Sequence, residues 1–121
     1  MKDNPQFLTF LAAIRQRRLD DFAASGYTFA VPQVEIEPGD KFIKIVFCDV
    51  HTGATKPSHH SVVAFIAARD FSNKFLGEVK TGDVFKSASY KAPAKHARGN
   101  ILNSDNGLTC WGAHGPNYLR G

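Results

Sequence analysis

The chain has 121 residues and a mass of 13.3 kDa, enough for one domain and too little for a two-domain enzyme or a full-size dinucleotide fold. It is 43% hydrophobic and 21% charged, with 10 Phe, 3 Tyr and 1 Trp, a composition that folds rather than one that stays disordered, and no internal repeat is visible. The net charge is +4, from 15 basic and 11 acidic residues; Lys86, Lys91, Lys95 and Arg98 lie in the acid-free window Val84 to Ser104, so the rest of the chain balances at 11 against 11.

Taken in chain order, Asn4-Pro5 is a helix start, with Asn as N-cap and Pro at the first helical position. Phe7, Leu11, Ile14 and Phe22 recur at helical spacing, flanked by Leu8, Phe10 and Leu19, and Ser25-Gly26 supplies a stop. The spacing predicts an amphipathic helix of about twenty residues that must bury its stripe on a sheet or on a partner. The cluster Arg15-Gln16-Arg17-Arg18 is expected on an exposed face, neutralised by Asp20 and Asp21.

After Gly26 the period changes to two. Val34 to Glu37 alternates, and Pro38-Gly39-Asp40 is a turn. Lys41 to Val50 is apolar on both faces, with Ile43, Ile45 and Phe47 on one and Phe42, Val46 and Cys48 on the other, which predicts a central strand. His51 to His60 reads as a loop, and Ser61 to Ala68 as a strand antiparallel to the central one. Phe75 to Val79 and Val84 to Ser87 flank Lys80-Thr81-Gly82-Asp83, which predicts a hairpin with Gly82 at positive φ. From Tyr90 onward the chain is rich in Gly, Asn and Pro, with Ile101-Leu102 and Leu108 to Trp111 as apolar patches. The expected fold is α+β: an N-terminal helix (1–26) on a small, mostly antiparallel sheet (33–89), then a basic, irregular C-terminal segment (90–121).

No segment approaches the ~18 apolar residues of a membrane span. Early charges such as Arg15, Arg17 and Arg18 argue against a secretory signal. Cys48 and Cys110, both in apolar surroundings, are expected to be reduced thiols in a cytoplasmic protein.

The acid-free window is the main candidate site. One-signed charge points to an anionic partner. Pro93 and Gly99 bracket an expected short helix, whose free N–H groups would face phosphate. Lys86, Ser87, Ser89, Tyr90, Lys91, Lys95 and Arg98 are the expected contacts, and nucleic acid or a nucleotide is the expected partner. Without Walker or dinucleotide spacing, no cofactor is expected.

The same block, Lys86 to Asn100 preceded by Gly82-Asp83-Val84-Phe85, resembles a segment in small uncharacterised proteins of tailed bacteriophages, as does the closing Gly115 to Gly121. The resemblance covers roughly the last forty residues. It implies a phage origin and a bacterial cytoplasm, and no activity.

Two alternatives stand beside that expectation. The first is a protein–protein inhibitor of a host factor, or a structural phage component, using the N-terminal helix and compatible with a homo-oligomer. The second is a small metal-dependent hydrolase using His51, His59 and His60, with Cys48 and Asp49 close in sequence. Neighbours on a strand point to opposite faces, so there only one of His59 and His60 would join a given site, whereas on a loop both could. Cys110 and His114 are too close in sequence to suggest a catalytic pair, and the scattered carboxylates form no acid–base constellation.

Overall fold

Asn4 opens the helix as its chemistry requires: its side chain accepts from the backbone N–H groups of Gln6 (2.8 Å) and Phe7 (3.3 Å). In the computed structural model, which describes residues 1–26, 28–112 and 115–116, this helix, α1, spans Pro5–Ala24. The strands that follow are β1 (Ala30–Pro38), β2 (Phe42–His51), β3 (Ser58–Ala67), β4 (Phe71–Asn73), β5 (Gly77–Val79), β6 (Asp83–Lys86), β7 (Gly99–Asn100), β8 (Trp111–Gly112) and β9 (Gly115–Pro116). A five-stranded antiparallel sheet has the order β1-β2-β3-β6-β7, so the fold is α+β.

β2 is an interior strand, between β1 and β3, as its two apolar faces require. On one face Ile43, Ile45 and Phe47 join Val34, Ala64, Ile66 and Val84 beneath Phe7, Phe10, Leu11 and Ile14 of α1. The helix therefore buries its stripe within its own chain. On the other face the Phe42 ring meets the rings of Phe65, Phe71 and Phe85 edge-on, at centroid distances of 5.6, 5.3 and 5.9 Å. Phe71, Leu76 and Val79 of the β4–β5 arm complete that second cluster.

The helix departs from its sequence pattern at both edges of the stripe. Phe10 is fully buried, whereas Phe22 is only half-buried. Arg18 explains the difference: its guanidinium lies 4.3 Å from the Phe47 ring centroid and 6.0 Å from that of Phe22, so a cation meets the sheet there. The arginine cluster is not neutralised by Asp20 and Asp21 as expected; it clamps the helix to the remaining chain. Arg15 donates to the Val34 carbonyl from Nε (3.2 Å) and Nη2 (3.1 Å). Arg17 reaches the Leu108 and Trp111 carbonyls (3.1 and 3.2 Å), and Arg18 the Cys48 carbonyl (3.2 Å) and Asp49 (2.9 Å). Asp20 accepts instead from Gln16 (2.9 Å).

Three further expectations are corrected. The predicted hairpin around Lys80–Asp83 does not form: β5 pairs with β4, and β6 pairs with β3. The turn between them carries the chain from the outer arm into the main sheet. Gly82 is still indispensable there, at φ 88°, where a Cβ would stand 2.6 Å from Asn100 Oδ1. Next, the loop expected over 51–60 is shorter, because β2 runs to His51 and β3 starts at Ser58, with Asp49 opposite Ser58. Ladder pairing overrides the loop-forming composition of these residues. Finally, no helix follows Pro93. Ser87 bridges Pro93, Ala94 N–H donates to the Lys86 carbonyl (2.7 Å) and Arg98 N–H to the Val84 carbonyl (2.7 Å). Backbone donors that a helix would direct along its own axis are spent on β6. Among the described residues, no helix is long and apolar enough to cross a membrane.

Candidate functional site

The basic window divides in three. Lys86 ends β6 and Ser87 follows it; both line a cleft of about 440 Å³. Ser87 Oγ donates to the Val62 carbonyl (2.6 Å) and Lys86 Nζ to the Pro116 carbonyl (3.0 Å), bonds that fix each side chain at the cleft wall. Ser89, Tyr90 and Lys91 form the tip of a tight turn closed by the Ala88 and Ser89 N–H groups on the Ala92 carbonyl (3.0 and 3.1 Å). Tyr90 turns away from the cleft, to the sheet face opposite α1. Its hydroxyl donates to Glu37 (3.1 Å), and Lys44 Nζ lies 4.6 Å from its ring centroid. The hydrogen bond to the Glu37 carboxylate, reinforced by that charge, raises the Tyr90 pKa above its ordinary value. Lys95 is exposed on the returning limb, where Arg98 folds back to donate to the Lys95 and His96 carbonyls.

The cleft gathers polar groups from three separate elements: the Arg18 guanidinium from α1, the His59 imidazole from β3 and the Lys86 ammonium from β6. Phe47 and Ser61 complete its lining beside Ser87. Arg18 is held at its edge by Asp49, both side chains being largely withdrawn from solvent at 17% and 19% exposure. Arg18 Nε is buried without a hydrogen-bond partner among the described residues. Arg18 and His59 were absent from the expected anion-binding set. Their signals were present, in the arginine cluster and in the histidine pair, but the strand register that joins them to Lys86 is a tertiary property.

Beside the cleft, Asp49, His51 and His59 bring one ligand atom each within 4.8 Å of one another. His51 Nε2 and His59 Nδ1 are 3.1 Å apart, and Asp49 Oδ2 lies 3.8 Å from His59 Nδ1. His60 takes the other face, 3.8 Å from Glu35, in a second group with Cys48. The two adjacent histidines thus serve different faces, as strand geometry demands.

Both cysteines are free. Cys48 is fully buried, and burial followed by the Glu35 charge pushes its thiol up. Burial and then the Asp105 charge do the same to the half-buried Cys110. A raised pKa keeps a thiol protonated and slow to react. Native protein is therefore expected to label slowly at both positions with a small thiol reagent, and fully once unfolded. Rapid native labelling of Cys48 would contradict its burial. His114, set aside above as a catalytic partner of Cys110, lies outside the described residues, as do residues 117–121.

These features define a small α+β protein with a basic cleft where its helix, β3 and β6 meet. The chain belongs to a family of unknown function, DUF7717, whose model matches residues 12–115, most of the 121 and all of the cleft-lining side chains named above. No curated protein and no solved structure matches it.

Proposed function

We propose that this protein binds an anionic, phosphate-bearing ligand in the cleft, with a nucleotide as the occupant. The observation that carries the reading is the convergence of Arg18, His59 and Lys86, brought from three elements, around Ser61 and Ser87. A cleft of about 440 Å³ is of the size that holds small ligands. Guanidinium and ammonium groups supply charge-assisted hydrogen bonds to phosphate oxygens, and Ser61 offers a hydroxyl donor. Of the seven contacts expected from sequence, Lys86 and Ser87 belong to this reading.

Exposed Lys91 and Lys95 favour a second reading, a nucleic acid strand that runs from the cleft along the returning limb. A phage origin, as the resemblance of the C-terminal block implies, would fit either ligand. A contact with a host protein led by α1 is less well supported, because Phe7, Phe10, Leu11 and Ile14 are spent on the sheet.

The test is a binding titration with nucleoside mono-, di- and triphosphates, a cyclic dinucleotide and a single-stranded oligonucleotide. Lys86→Ala is expected to weaken binding by about 1.5–3 kcal/mol, the range for hydrogen bonds to charged groups. Lys56→Ala and Lys74→Ala, exposed and outside the cleft, should leave it unchanged. A nucleotide at ~100 times its dissociation constant should add ~2.7 kcal/mol of stability. A steep fall of affinity with salt would select the nucleic acid strand. Equal binding by wild type and Lys86→Ala would exclude the cleft.

A further inference from the structure

The three donors beside the cleft have a geometry of their own. Asp49 and His51 stand two residues apart on β2 and so share a face. His59 arrives from β3 across the register shift between Phe47 and Asp49, and its backbone adopts φ 57°, a left-handed conformation uncommon outside glycine. That conformation accompanies an imidazole turned to meet His51, while His60 goes to Glu35 on the opposite face.

We propose that Asp49, His51 and His59 form a binding site for a divalent transition-metal ion of the zinc type. Ligand atoms on a tetrahedron with bonds of about 2.0–2.2 Å stand about 3.3–3.6 Å apart. The His51 Nε2 to His59 Nδ1 distance of 3.1 Å is slightly shorter than this, and the 3.8 Å from His59 Nδ1 to Asp49 Oδ2 slightly longer. Side-chain adjustments of a few tenths of an ångström bring both pairs onto an ion. Two imidazoles and a carboxylate suit zinc, cobalt or nickel; magnesium and calcium favour oxygen ligands. Arg18 donates to Asp49 Oδ1 at 2.9 Å, which leaves Oδ2 as the coordinating atom and fixes the carboxylate's direction. Arg18 is thus a positioning residue for the metal. His59 also lines the cleft, so the ion sits at its rim with three protein ligands and one position left for water or a ligand oxygen.

The Glu35–Cys48–His60 group is the rival site on the other face. Its sulfur is fully buried and would have to lose a proton that burial and Glu35 both hold in place. Cobalt(II) separates the two sites, because a thiolate ligand gives a near-ultraviolet charge-transfer band that imidazole and carboxylate do not.

The experiment titrates chelator-treated full-length protein with cobalt(II) and then zinc(II), without any phosphate compound. The expected result is one equivalent bound, with visible ligand-field bands and no thiolate band. His51→Gln, His59→Gln and Asp49→Asn should each abolish it, while His60→Gln and Cys48→Ser leave it intact. Arg18→Met should weaken it about 10–100-fold, as loss of an orienting partner does. Circular dichroism establishes that each variant is folded. His51 and His59 are on the rim rather than in the core, so their variants keep the test decisive if Asp49→Asn unfolds. No stoichiometric binding, or binding lost in Cys48→Ser and kept in His51→Gln, overturns the proposal. Nucleotide titration in the presence of chelator scores the cleft separately, so failure of either reading is seen independently of the other.

Discussion

Phe10→Ala is expected to reduce the free energy of unfolding by about 3–5 kcal/mol, the range for truncating a fully buried Phe. Phe10 has no exposed surface; its ring meets Trp111 edge-on at 5.4 Å and stands 6.3 Å from Phe7. Trp111 in turn packs at 6.3 Å against Phe47 of the central strand. The cavity left by Phe10 would open at the junction of helix, sheet and C-terminal segment, where rigid neighbours on three sides limit collapse. Phe22→Ala, at a half-buried position beside Arg18, should cost markedly less. Urea unfolding of the two variants gives the comparison. Equal, small losses would mean that α1 is not seated on the sheet through Phe10.

Arg18→Ala is expected to act on stability and on binding together. The side chain donates to the Cys48 carbonyl and to Asp49, and its guanidinium lies over the Phe47 ring. Its removal leaves the Asp49 carboxylate, only 19% exposed, without its cationic partner. Hydrogen bonds to charged groups and the residual desolvation cost together suggest a loss of about 2–3 kcal/mol. Arg18→Met retains much of the apolar stem and should recover the packing share without the charge. Neither variant should bind the proposed phosphate-bearing ligand as wild type does. A normal affinity in folded Arg18→Met would remove Arg18 from the cleft's function.

Local signals carried the helix and the central strand. Asn4-Pro5 fixes the start of α1, and the doubly apolar run from Phe42 to Cys48 places β2 between two neighbours. Signals that depend on pairing were harder to read. Gly53 and Pro57 do lie in the connection, yet β2 and β3 take His51 and Ser58 to His60 on either side of it because each strand supplies the other's hydrogen bonds. The Pro93–Arg98 segment has the punctuation of a short helix, but the open edge of β6 competes for its N–H groups and wins. The hairpin error has the same origin: Val79 and Val84 are both fully buried, and nothing local says that one belongs to an outer arm and the other to the main sheet. Charge patterning drew attention to Lys86 and its neighbour Ser87, which line the cleft. It could not locate Arg18 and His59, because the excess of positive charge in the window says nothing about balanced residues elsewhere that fold against it.

The proposed anion site in the cleft is tested most directly by following backbone amides of isotope-labelled protein during a titration with the nucleotide that binds best in the panel. The account predicts saturable shifts concentrated at Arg18, His59, Ser61, Val63, Lys86 and Ser87, with Lys56 and Lys74 unmoved. Shifts confined to Lys91, Lys95 and the turn around Tyr90, with none at Arg18 or Lys86, would contradict it.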